Sequence, residues 1–176
     1  MDHVEIRKAS QSDIAELQTI GRQTFSETFA YCNTEENMQK YLDGSFNFDQ
    51  LKSEIHNPNS EFYLATINKK TIGYLKINYN QAQTELKDMQ ALEIERIYVL
   101  KEFHGKRIGQ ILYNKAFQIA QQRNSHFIWL GVWENNPRAI RFYQKNGFVE
   151  FDKHIFKLGE DEQTDVMMKL ELQVSP

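Results

Sequence analysis

The sequence predicts a mixed α/β sheet, and three observations carry that expectation. Strand-like and helix-like periods alternate along the chain, two strand-length apolar runs each lead into one amphipathic helix, and the chain closes on two strands around a polar turn. The two single-helix crossovers imply locally parallel strands, because a hairpin turn is too short to make them. At 176 residues with 40% hydrophobic and 12% aromatic content, the chain is long enough for one good core and short for two. A single domain over residues 1–176 is therefore expected.

Val4 to Ala9 alternate as a first strand, and Ser10, Ser12 and Asp13 offer caps for a helix whose stripe is Ile14, Leu17, Ile20, Thr24, Phe25 and Phe29. Thr34 and Asp49 suggest two further capped helices, broken at Asp43-Gly44-Ser45. Most of this acidic and aromatic stretch reads as a solvated pair over a sheet edge. Phe25, Glu27, Phe29, Tyr31 and Glu35 form a lesser candidate wall for a substrate pocket. After the turn Asn57-Pro58-Asn59, EFYLATI and TIGYLKINY flank Asn68-Lys69-Lys70 as a β-hairpin, and Gln81 to Gln90 is a polar loop.

The next stretch is LEIERIYVLKEFHGKRIG, from Leu92 to Gly109. Regular alternation puts Leu92, Ile94 and Tyr98 on one face and Glu93, Glu95, Ile97 and Val99 on the other, so two acids share a face. Lys101 to Lys106 make a polar turn, and Ile108, Ile111, Leu112, Ala116 and Ile119 then recur at helical spacing, which starts the helix near Arg107. Its unpaired N–H groups, the small Gly105 and Gly109, and the charges of Lys106 and Arg107 suit an anionic phosphate group. A pyrophosphate fits there.

Downstream, HFIWLGVW is a nearly continuous apolar run, as in a strand buried on both faces. Asn136 caps a helix whose first residue is Pro137, and Asn146-Gly147 stops it in a left-handed turn. FVEFDKHIFKLG and TDVMMKLEL are the last two strands, around Gly159-Glu160-Asp161-Glu162.

A formal net charge of −3 gives no basis for nucleic-acid affinity and is compatible with a cationic substrate. The start MDHVEIRKAS lacks a signal pattern, and no apolar run approaches the ~20 residues that span a bilayer, so a cytoplasmic protein with no membrane partner is expected. The lone Cys32 permits no internal disulfide and no cysteine zinc cluster, and no metal is expected.

HGKRIG behind a hydrophobic strand, with NNPRAIRFYQKNGF behind another, resembles the cofactor signature and following motif of the GNAT superfamily of N-acetyltransferases. LEIERIYV, IWLGVWENN, FYQKNGF and LGEDEQTDVMM are similar to bacterial spermidine/spermine N-acetyltransferases of the PaiA type. The resemblance implies a mostly antiparallel sheet of about seven strands with a splayed parallel central pair and helices on both faces. It also implies acetyl-CoA as cofactor and an amine acceptor, a polyamine by the closer likeness. The family pattern has a glycine where Arg107 stands, and His104 replaces its leading Arg or Gln, while Gly109 matches. Arg107 is expected to keep a negative φ and to add a phosphate contact.

Acetyl transfer needs a neutral amine, a polarised carbonyl and a proton for the leaving thiolate. A primary ammonium, with a pKa near ~10, must lose a proton. The resemblance puts Glu93 and Glu95 at positions that family members use for this, and either acid also serves to attract a cation or pair with Arg96 or a lysine. By the same resemblance, Tyr143 returns a proton to the thiolate, although its spacing equally suits a core aromatic. Ile97, Tyr98 and Val99 receive the pantetheine arm through their backbone, with the Val99 N–H on the acetyl carbonyl. His104, Gly105, Lys106, Arg107, Ile108, Gly109 and Gln110 hold the pyrophosphate. Asn136 reaches the cofactor arm, and Lys145 either adds a contact or is a surface lysine.

Trp129, Trp133, His154 and Tyr31 are further candidate lining groups, His154 reading first as a structural histidine. The acidic turn with Asp165 is a weak attractor of polycations. Two alternatives stay open: acetylation of a protein N-terminus or lysine, and a non-catalytic acyl-CoA-binding regulatory module. A homodimer paired through the last two strands stands beside a monomer.

Overall fold

The computed structural model describes residues 3–173, so both ends of the expected span lie outside the described residues. In chain order the elements are β1 (Glu5–Lys8), α1 (Ile14–Phe29), α2 (Glu35–Ser45), α3 (Phe48–His56), β2 (Ser60–Ile67), β3 (Lys70–Tyr79) and β4 (Ala91–Val99). Then come α4 (Ile108–Gln122), β5 (Phe127–Trp133), α5 (Pro137–Lys145), β6 (Val149–Leu158) and β7 (Asp161–Glu171). They build one seven-stranded sheet, ordered β1-β2-β3-β4-β5-β7-β6, in which only β4 and β5 are paired in parallel. The mixed, mostly antiparallel sheet is the one predicted. β6 also runs in the direction of β5, but the second strand of its hairpin, β7, slots between them.

Local sequence accounts for most of the turns. Asn68 and Lys69, with φ of 49 and 66, close the β2–β3 hairpin in the left-handed conformation that a two-residue turn needs. Thr34 caps α2 by accepting from the Asn37 N–H, and Asn47 caps α3 by accepting from the Gln50 N–H. The break between these helices is thus at Phe46-Asn47, not Asp43-Gly44-Ser45, and the cap is Asn47 rather than Asp49. Phe46 decides this: it is 1% exposed and its ring lies against Gly21 of α1, where any side chain would collide with it.

Helices cover both faces. Leu112 and Ala116 of α4 pack on Leu75, Ile77, Leu92, Ile94, Ile128 and Leu130, while Ile14, Leu17 and Phe25 of α1 with Leu51 of α3 pack on Leu64 and Tyr74. Among the described residues no helix is long and apolar enough to cross a membrane.

The centre of the sheet is irregular in two linked ways. Lys76 of β3 faces Arg96 and Ile77 faces Ile94, which leaves Glu95 as an inserted residue, a β-bulge. β4 meets β5 only at Ala91, Leu92 and Glu93, opposite Phe127, Ile128 and Trp129, and beyond these pairs the strands part. The bulge also corrects the predicted alternation. Tyr98 joins Glu93, Glu95 and Arg96 on the α1 side, whereas Ile97 and Val99 turn with Leu92 and Ile94 toward α4.

Candidate active site

The parting of β4 from β5 opens a cleft of about 810 Å³, within the usual size range of ligand sites. Leu100 donates its N–H to the Ile72 carbonyl on the β3 side, so by antiparallel alternation the backbone groups of Ile97 and Val99 face the opening. Ile97, Tyr98, Val99, His104, Gly105, Arg107, Ile108, Gly109, Gln110 and Asn136 all line the cleft. At its far end the first backbone bond of α4 runs from the Ile111 N–H to the Arg107 carbonyl, leaving the three preceding N–H groups aimed outward. Gly109 has an ordinary helical backbone, and a Cβ on it would meet nothing within 4 Å. Neither backbone nor packing asks for glycine there, and the space a side chain would fill is the space an anionic group needs. The site thus fits the pyrophosphate of a nucleotide cofactor.

Two details differ from the sequence expectation. Arg107 is in the left-handed region, with φ 64 and ψ 11, not at negative φ, because the chain must reverse between the turn and the helix. Lys106 and Lys145 are exposed and outside the cleft lining; the Lys106 ammonium sits 4.7 Å from the centre of the Phe103 ring. A residue the motif reading missed, Arg138, donates to His104 Nδ1 at 2.6 Å. That fixes the His104 tautomer, whose Nε2–H donates to the Val99 carbonyl at 2.7 Å and braces the turn against β4. Its signal was a cation in the first turn of a helix, where the dipole disfavours one.

A second cavity, about 260 Å³, adjoins the cleft on the α1 side. Both are lined by Thr28, Ile97, Tyr98, Trp133, Asn136, Ala139 and Tyr143, which marks their junction. Tyr143 is 6% exposed, and burial pushes its phenol well above its ordinary pKa, so it stays protonated at neutral pH. Asn136 caps α5 by accepting from the Ala139 N–H at 3.2 Å, leaving its amide NH₂ at the junction.

Glu93 and Glu95 line the second cavity, joined by Asn78, whose amide donates to Glu93 at 3.0 Å and to Glu95 at 2.7 Å. Asn78 is fixed in turn by the Ser60 hydroxyl, 2.8 Å from its carbonyl oxygen. The two acids have opposite surroundings. Burial alone would raise Glu95, but Arg96 and Lys76 outweigh it and hold Glu95 well below the carboxylate range. Glu54 of α3 completes that buried ion cluster, 3.0 Å from Lys76 and 3.2 Å from Arg96. Glu93 is raised, first by burial and then by the charge of Glu95, against hydrogen bonds from Thr84 and Asn78.

Of the other candidates, Trp129, Trp133, His154, Phe25, Phe29 and Asp165 line the second cavity, Glu27 and Tyr31 line the first, and Glu35 lines neither. The acidic turn is turned away toward α2, where Glu160 pairs with Lys40. Thr84 and Glu85, in a loop with no distinctive pattern, also line the second cavity. Gln83 anchors that loop by accepting from the Trp129 indole N–H at 2.7 Å.

A model of the Acetyltransferase (GNAT) family matches residues 22–148. An uncharacterized N-acetyltransferase in the pepI 3' region of Lactobacillus delbrueckii subsp. lactis is 40% identical over 169 residues, 96% of this chain and 98% of its own. A spermidine N(1)-acetyltransferase of Thermoplasma acidophilum is 29% identical over 82% of this chain and 88% of its own. Among solved structures, a PaiA N-acetyltransferase from Thermoplasma acidophilum in complex with coenzyme A superposes with a TM-score of 0.80 at 24% identity, covering 97% of this chain and 99% of that one.

Proposed function

The chain belongs to the acetyltransferase (GNAT) family, using acetyl-CoA to acetylate an amine, and we propose that the amine is a primary amine of a polyamine such as spermidine or spermine. The carrying observation is the second cavity: Glu85, Glu93 and Asp165 line it outside the ion cluster in which Glu54 and Glu95 pair with Lys76 and with Arg96, the cavity's one lining lysine or arginine among the described residues. A polycation is the charge complement of such a cavity. The spermidine acetyltransferase of Thermoplasma acidophilum supports the same reading.

Acetyl-CoA supplies an acyl carbon bound to sulfur, and the chain's residues divide the remaining work. Glu93, the carboxylate with the higher proton affinity, takes the ammonium proton as general base, while Glu95 stays ionised and keeps that affinity high. The Val99 N–H is the donor to the acetyl oxygen. The amine nitrogen bonds to the acyl carbon as the carbon–sulfur bond breaks, Tyr143 gives its phenolic proton to the departing sulfur, and the second proton shed by the nitrogen restores the phenol through solvent. His104, Gly105, Arg107, Ile108, Gly109 and Gln110 hold the pyrophosphate, Ile97 and Tyr98 flank the arm, and the Asn136 amide reaches it. The setting we assign is the cytoplasm.

The deciding measurement is thiol release from acetyl-CoA across an amine panel. Spermidine and spermine are expected to give the highest kcat/KM, with Tyr143→Phe lowering kcat at saturating acetyl-CoA. Transfer to a peptide N-terminus or lysine with none to any polyamine refutes the acceptor. Cofactor binding without thiol release from any amine refutes turnover itself.

A further inference from the structure

The second cavity does not end at the junction. On the α1 side of β5, Trp129 and Trp133 flank Gly131, which leaves a gap between the two indoles. A Cβ on Gly131 would stand 3.2 Å from His154 Cε1 and 3.3 Å from Asp165 Oδ2, so the glycine keeps open a niche that any side chain would close. His154 of β6 and Asp165 of β7 are opposite each other in register and form its far wall, and Thr84 and Glu85 border it from the loop before β4.

The chemistry of this niche selects a cation. His154 Nε2 lies 3.7 Å from Asp165 and 4.0 Å from Glu85, so two carboxylates stand on one side of the ring. His154 Nδ1 is buried and without a hydrogen-bond partner among the described residues. Two carboxylates and two indoles around a gap that glycine keeps open call for N–H donors carrying positive charge.

We propose that the niche at Gly131, His154 and Asp165 is a subsite for the second, non-reacting ammonium of a diamine or polyamine, setting which acceptors are chosen. This rests on the polyamine reading and adds where the distal nitrogen lies. The reacting nitrogen is at the junction beside Tyr143, and the methylene spacer crosses the apolar face of β5 between the two indoles. A monoamine of the same length leaves the niche without its cation.

The test compares kcat/KM for spermidine and 1,4-diaminobutane with that for n-butylamine in the wild type, Asp165→Asn and Gly131→Ala. The wild type is expected to prefer the two polyamines. Each variant should lower the polyamine-to-monoamine ratio about tenfold, the loss of one charge-assisted contact. Gly131→Ala changes no charge and suits a strand, so it answers the question even if Asp165→Asn folds poorly. If the wild type prefers the polyamines and both variants keep the full preference, the subsite is wrong while the acceptor assignment stands. If the wild type shows no preference, the acceptor assignment fails and takes the subsite with it.

Discussion

Replacing Arg107 with glycine separates what the backbone wants from what the cofactor wants. Arg107 is at φ 64, a left-handed conformation that costs a non-glycine residue roughly 1 kcal/mol or more, and its side chain is exposed, so little packing is lost with it. The free protein should therefore gain about 0.5–1 kcal/mol, less than the full strain because glycine also loosens the unfolded chain. For a chain of this length that is a rise in Tm of about 1–4 °C. Binding should move the other way. The guanidinium borders the cleft beside the free N–H groups of α4, and one solvent-exposed contact to a phosphate is worth about 1 kcal/mol, a factor of about five in KM for acetyl-CoA. Thermal unfolding of the free protein and steady-state kinetics at saturating amine read the two effects separately. A lower Tm would refute the strain argument, and an unchanged KM for acetyl-CoA would refute the phosphate contact.

Gly109→Ala should also stabilise the free protein, by about 0.5–1 kcal/mol as a helix substitution with open space for its methyl, while raising KM for acetyl-CoA several-fold; a KM at or below the wild-type value would mean that nothing approaches that backbone. The acid limb of kcat/KM for the amine should lie above the ordinary glutamate pKa of about 4.3, because Glu93 must be unprotonated to act and its proton affinity is raised. Glu95→Gln removes one cause of that rise, so the limb should move to lower pH, and in Glu93→Gln it should disappear. A limb that stays in place in both variants would falsify the assignment of Glu93 as base.

The elements were legible because their periods are local. The alternation of TIGYLKINY, the stripe of α4 and the Asn136-Pro137 start of α5 are each set by neighbours a few residues away. What escaped was set by distant partners. The α2–α3 break depends on Phe46 finding Gly21, and the orientation of Arg138 depends on His104. Glu85 becomes a cavity residue only because Gln83 fastens its loop to Trp129. The polar lining of the second cavity did leave a trace: Lys76 and Asn78 share one side of an otherwise apolar strand, an arrangement that is costly unless charges wait on the neighbouring strand. Most residues of the phosphate motif line one cleft, because a helix N-terminus and its glycines are a contiguous device. Lys106 and Lys145 are exposed and outside that lining.

The inserted Glu95 gives β4 two phases. Before it, odd-numbered side chains look toward the second cavity; after it, even-numbered ones do. One strand therefore presents carboxylates to the second cavity and, a few residues later, a smooth aliphatic edge with open backbone to the cleft. Deleting a single residue at the bulge would restore one uninterrupted phase, exchanging the outlooks of Tyr98 and its neighbours Ile97 and Val99. A lone insertion thus acts as a splice between two cavity linings on one strand, so the spacing of the two cavities is counted in residues along β4.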